Sequence, residues 1–139
     1  MLALAVCGNP RAMVQRDRIR RTMMLAGQGA FWLAAAFAVV MAVLPKPPAM
    51  PMDGYGDKVE HIIAFATLSL LAVIAFPQMP RLRIVERLSF LGALIEVVQS
   101  IPALHRDCDI RDWVADTVAI VVVVSLARLV PLLRERAPA

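Results

Sequence analysis

Apolar residues in this chain gather in long unbroken runs. No charged residue occurs from Thr22 to Pro45, and none from Ile62 to Pro80. Each run reaches the roughly 20 residues that a helix needs to cross a bilayer. Two further apolar segments follow, one bounded by Arg87 and His105 and one running from Trp113 to Leu133. The pattern predicts an all-α polytopic membrane protein, a bundle of four transmembrane helices at about 23–44, 59–76, 88–104 and 113–133. A basic segment 1–22 precedes the bundle and a short tail 134–139 follows it. Prolines mark several of the expected ends, because proline cannot continue a helix: Pro45 after the first, Pro77 and Pro80 after the second, Pro102 within the third.

Composition agrees with that pattern. Of 139 residues, 60% are hydrophobic and 19% charged, against about 45–50% and about 25% in an average soluble domain. A chain too short for two ordinary domains could not hide that much hydrocarbon from water. A cytosolic enzyme, a nucleic-acid-binding domain and a disordered tail are excluded on this ground, so nucleic acid is not an expected partner and the bilayer is. The formal net charge of +4 therefore matters by position. Eleven Lys and Arg fall in 1–22, in the second loop (Arg81, Arg83, Arg87) and at the C-terminal end (Arg128, Arg134, Arg136); Lys46, Lys58, Arg106 and Arg111 fall on the other side. The positive-inside rule then places both termini in the cytoplasm. Cys7 and Cys108 come to lie on opposite sides and are not expected to pair. The first residues lack the basic flank of a signal peptide and read as an uncleaved tail. Trp113 reads as an interfacial anchor, Trp32 as packing, and His105 and Asp107 as solvated loop residues.

Acidic residues point the other way. Only Asp17, Glu86 and Glu135 of the eleven lie in the cytoplasmic segments. Asp57 and His61, and again Asp112 and Asp116, are four apart and share a helix face at the outer end of the second and fourth spans; Glu96 and Gln99, three apart, share one on the third. Glu96 lies nine residues from Arg87 and nine from His105, which predicts about 13 Å of helix to either boundary at ~1.5 Å per residue. A charge at that depth costs about 2.5–3.5 kcal/mol on insertion scales and needs polar company from neighbouring helices. The expected result is a polar pocket open to the extracytoplasmic face. His61, Glu96 and Asp112 are its acid/base candidates. Lys58 and Arg106 would contact a phosphate, with Asp57, Gln99 and Asp116 completing the binding surface. The same residues could also serve only to hydrogen-bond the helices together.

Asp57-Lys58-x-x-His61, then Glu96-x-x-Gln99, then Arg106 followed by Asp112 and Asp116 resembles the VanZ-like family of bacterial membrane proteins. That family shows D-K-x-x-H opening one span, E-x-x-Q in the next and R-x5-D-x3-N entering the last. The likeness covers about half the chain, from Asp57 to roughly Val123. Asp116 stands where the family usually has Asn, and Ala119 and the Val121–Val124 run stand where it has glycines. The resemblance implies a multi-pass protein of the bacterial cytoplasmic membrane with an envelope role linked to resistance to lipoglycopeptides such as teicoplanin. Its ligand would be an envelope lipid or lipid-linked glycan, with no cofactor. Two other roles fit the same residues. One is a proton or cation element, for which Mg²⁺ or Mn²⁺ suits the carboxylates better than structural zinc. The other is a structural partner subunit.

Overall fold

A computed structural model of the chain describes residues 10–45, 48, 56–104, 106 and 108–135, without the side chains of 10–12, 57, 128 and 130–135. Cys7, Lys46, His105, Asp107, Arg136 and the Asp57 side chain, all part of the sequence reading, lie outside that description. The described residues form four α-helices and no strand: α1 (Pro10–Val43), α2 (Asp57–Ala75), α3 (Arg81–Gln99) and α4 (Ile110–Glu135), with a 3₁₀ turn at Pro102–Leu104.

Two helix boundaries differ from the expected spans, each for a local reason. α1 runs through the basic segment and starts at Pro10 instead of about 23. Proline suits the first helical position, and the Arg, Ala and Met residues that follow are good helix formers with nothing to break them. Its 34 residues give about 51 Å at ~1.5 Å per residue, well beyond a hydrocarbon core of about 30 Å. α3 occupies 81–99 rather than 88–104. Pro80 stands at its N-cap and Ser100 at its C-cap, and Ile101, the residue before Pro102, is biased away from helical geometry. Arg81, Arg83 and Arg87 therefore belong to α3, and only a short turn joins it to α2. This shift moves Glu96 from the expected mid-depth position to the last turn of its helix.

The chain runs up and down. The Gln28 amide of α1 donates to the carbonyl of Ala75 at the end of α2 (3.4 Å), while Gln99 at the end of α3 donates to Ala42 at the end of α1 (3.0 Å). Consecutive helices are thus antiparallel, and α2 packs most extensively against α4 and α1. Phe65, Leu68, Ala72 and Ala75 form the inner stripe of α2, with Phe31 and Ala35 from α1, Ile84, Leu88 and Ile95 from α3, and Ile120 and Val124 from α4. The outer surface is apolar too: Leu33, Phe37, Leu70, Ile74, Phe90, Val97 and Val118 are all exposed. Helices hydrophobic all round need a buried or lipid setting. Among the described residues, Met13–Val43 and Lys58–Ala75 are long and apolar enough to cross a membrane. Trp32 belongs to this outer surface at 64% exposure, not to the packed interior, and touches Phe31 edge-to-face.

Candidate functional site

The inner stripes turn polar at one end of the bundle. His61 continues the Phe65–Leu68–Ala72 face of α2 one turn toward its N-terminus, and Asp112 and Asp116 continue the Ile120–Val124 face of α4 in the same way. All three are buried, as are Glu96 and Gln99 on α3. Because α2 and α4 run parallel and enter from the same end, their first turns meet. His61 Nδ1 lies 3.2 Å from Asp116 Oδ2. Lys58, one turn nearer the end of the bundle, bonds Asp112 and lies 3.8 Å from Asp109 Oδ2. The Lys58 side chain is 46% exposed, so its ion pairs stand at the end of the bundle while the His61–Asp116 pair lies beneath them.

Glu96 joins the third helix to this group. Its Oε2 accepts the backbone N–H of Asp109 at 3.0 Å. Asp109 caps α4: its Oδ1 accepts from Arg111 N at 2.9 Å, and its carbonyl accepts from Asp112 N at 2.8 Å. Capping by an Asp side chain satisfies helix donors that have no partner within the helix. The free, exposed Cys108 precedes this cap and lies beside Glu96. Its thiol is held above the ordinary thiol range, first by partial loss of water and then by the Glu96 carboxylate beside it, with Asp109 adding to the effect. Among the described residues, Glu96 Oε1 and Asp116 Oδ1 are buried with no hydrogen-bond partner. Two carboxylate oxygens left in that state are costly, and native structures leave few of them.

The helical region thus brings His61, Lys58, Asp112, Asp116 and Glu96 together. The other expected residues are placed differently. Gln99 is buried, but its amide donates to the Ala42 carbonyl at the end of α1, so it ties α3 to α1 where a place in the binding surface was expected. Arg106 is half-buried in the segment leading into α4. Asp57 supplies the first residue of α2. Trp113, expected as an interfacial anchor, turns inward: its indole N–H reaches the Ser89 carbonyl (3.0 Å) and hydroxyl (3.2 Å), and Ser89 Oγ meets Thr117 Oγ1 at 2.8 Å.

Two contributors were missed. Asp109 carries an N-terminal signature that was readable, an Asp three residues before the acidic Asp112 at a helix start. Gly92 had no such signal. A methyl group there would stand 3.4 Å from Asp116 Oδ2 and from Phe65 Cζ, just in contact, so the space between α3 and the cluster is filled by a methyl and has no room for a larger side chain. Gly92→Leu should separate α3 from α2 and α4 at a cost of about 1–3 kcal/mol. Thermal unfolding in detergent would read this as a lowered midpoint, whereas an unchanged midpoint would mean that the close approach is dispensable.

Chemically, the group offers a proton path from His61 to Asp116, an accessible ammonium at Lys58 and two buried acceptor oxygens. Among the described residues, no group of three or more His, Cys, Asp or Glu side chains is arranged to hold a metal ion. Comparison with protein-family models, curated proteins and solved structures finds no match.

Proposed function

We propose that the chain is a VanZ-like, four-span protein of the bacterial cytoplasmic membrane with both termini in the cytoplasm. Its polar cluster faces the extracytoplasmic side and binds or modifies an anionic envelope lipid or lipid-linked glycan. The observation that carries this reading is the convergence of Lys58, His61, Glu96, Asp112 and Asp116 from three helices at one end of an apolar bundle, with Glu96 Oε1 and Asp116 Oδ1 unpartnered among the described residues. A network serving only to hold helices together would satisfy its own atoms. Lys58 stands at the exposed end of the cluster, where it would meet a phosphate arriving from the outer leaflet. His61 and Glu96, buried beneath it, would be the acid/base groups. The three motif pieces that resemble the family open α2, close α3 and enter α4, consistent with that assignment. The test is a mass-spectrometric comparison of envelope lipids and lipid-linked precursors in cells with and without the chain, together with lipoglycopeptide susceptibility. A changed lipid or precursor pool with altered susceptibility is expected; identical pools and susceptibility would overturn the proposal.

A helix-locking role is the second reading, and the Gln99 bond to the Ala42 carbonyl favours it. It predicts that Glu96→Gln and Asp116→Asn change thermal stability in detergent and nothing else.

A further inference from the structure

A separate feature lies at the opposite end of the bundle, where α2 turns into α3. A cavity of about 300 Å³ opens there, lined among others by Met24 and Gln28 of α1, Phe76 and Met79 of the turn, and Arg83 and Arg87 of α3. The two arginines are four residues apart and share a helix face. Among the described residues no carboxylate lines the cavity and neither arginine forms an ion pair. Positive charge accumulates around it. Arg20 lies one turn before Met24 on the same face of α1 and is exposed. Arg81 opens α3 with one guanidinium nitrogen buried and unpartnered. The first turn of α3 contains no acidic residue and its N-cap makes no side-chain bond, so the positive end of the helix dipole is also uncompensated. The wall is half of another kind: Met24, Phe76 and Met79 are apolar.

We infer that this cavity is a binding site for the phosphodiester of an anionic phospholipid. Arg83 and Arg87 clamp the phosphate oxygens, as paired guanidiniums do, and the Met24–Phe76–Met79 wall receives the start of the acyl chains. The volume suits a head group rather than a whole lipid, being at the low end of small-molecule sites at roughly 300–1,000 Å³. On the topology proposed above the site faces the inner leaflet, whose anionic lipids attract juxtamembrane arginines. The inference shares the membrane reading with the proposed function and uses none of the residues of the outer cluster, so either can fail alone.

Native mass spectrometry of the purified full chain tests it, with phosphatidylglycerol and phosphatidylcholine as probes. Phosphatidylglycerol should be retained at least tenfold better than phosphatidylcholine. Arg83→Gln/Arg87→Gln should remove that preference, while Arg16→Gln/Arg18→Gln, on the extended part of α1, should keep it. Should the double Gln variant unfold, Arg83→Lys/Arg87→Lys keeps the charge without the planar fork and should retain a weakened preference. Equal retention of the two lipids, or an unchanged preference in the double Gln variant, would overturn the inference. Displacement of phosphatidylglycerol by millimolar inorganic phosphate would overturn the lipid assignment in favour of a soluble phosphate.

Discussion

Glu96→Gln is expected to abolish the envelope phenotype while leaving the protein in the membrane at its normal level. The reason lies in the division of labour between the two carboxylate oxygens. Oε2 accepts the Asp109 N–H and so holds the cap of α4; a glutamine carbonyl oxygen does this equally well. Oε1 has no partner among the described residues, and it is the charge and the proton capacity of the carboxyl group that the substitution removes. Glu96→Ala is a harsher change, because it strands the Asp109 N–H at a cost of about 1–3 kcal/mol. His61→Ala should match Glu96→Gln in phenotype, since it removes the group facing Asp116. Immunoblotting of membranes beside the lipid and susceptibility measurements separates the outcomes. Full phenotype in both variants, with only a lowered unfolding midpoint, would assign the cluster to helix locking.

The second large effect is expected at Asp116, which is fully buried against His61. Asp116→Ala removes the carboxylate that faces His61 Nδ1 and should cost about 1–3 kcal/mol. Asp116→Asn keeps an acceptor for that nitrogen and should cost less. Once His61 is already Ala, removing Asp116 should be much cheaper, giving a coupling above about 0.5 kcal/mol in a double-mutant cycle followed by unfolding in detergent. Additive losses would mean that the two side chains do not act as a pair.

Much of this architecture was readable because helical spacing carries direction. His61 and, four residues apart, Asp112 and Asp116 lie on stripes that continue into Phe65 and Ile120. That continuity is why they face inward together. Depth was harder. Arg81, Arg83 and Arg87 look like a loop when charges are taken as the ends of helices, yet charges mark where a helix meets polar surroundings, not where its backbone hydrogen bonding stops. Pro80 was the better marker for the start of α3, and placing the helix there puts Glu96 in the last turn. Azimuth was harder still. Nothing in hydropathy tells that Trp32 faces outward and Trp113 inward, because both residues are apolar with one polar atom and only the neighbouring helix decides. Gly92 is silent for a related reason: the limit on side-chain size there is visible only once Asp116 and Phe65 stand against it. Gln99 has the right address and a different task, since an amide can serve a helix end as readily as a ligand.

The most direct test of an outward-facing cluster reaching Glu96 uses Cys108 in a Cys7→Ser background. A membrane-impermeant maleimide is added to intact cells, and the labelling rate is followed with pH. Only the thiolate reacts, and the thiol is pushed up by its surroundings, Glu96 among them. Labelling should therefore be slow near neutral pH, should quicken as pH rises, and should be faster at a given pH in Glu96→Gln, which removes part of the upward push. Labelling in intact cells with this dependence on Glu96 is the predicted result. Labelling only after the membrane has been opened, or a rate indifferent to Glu96→Gln, would contradict the account.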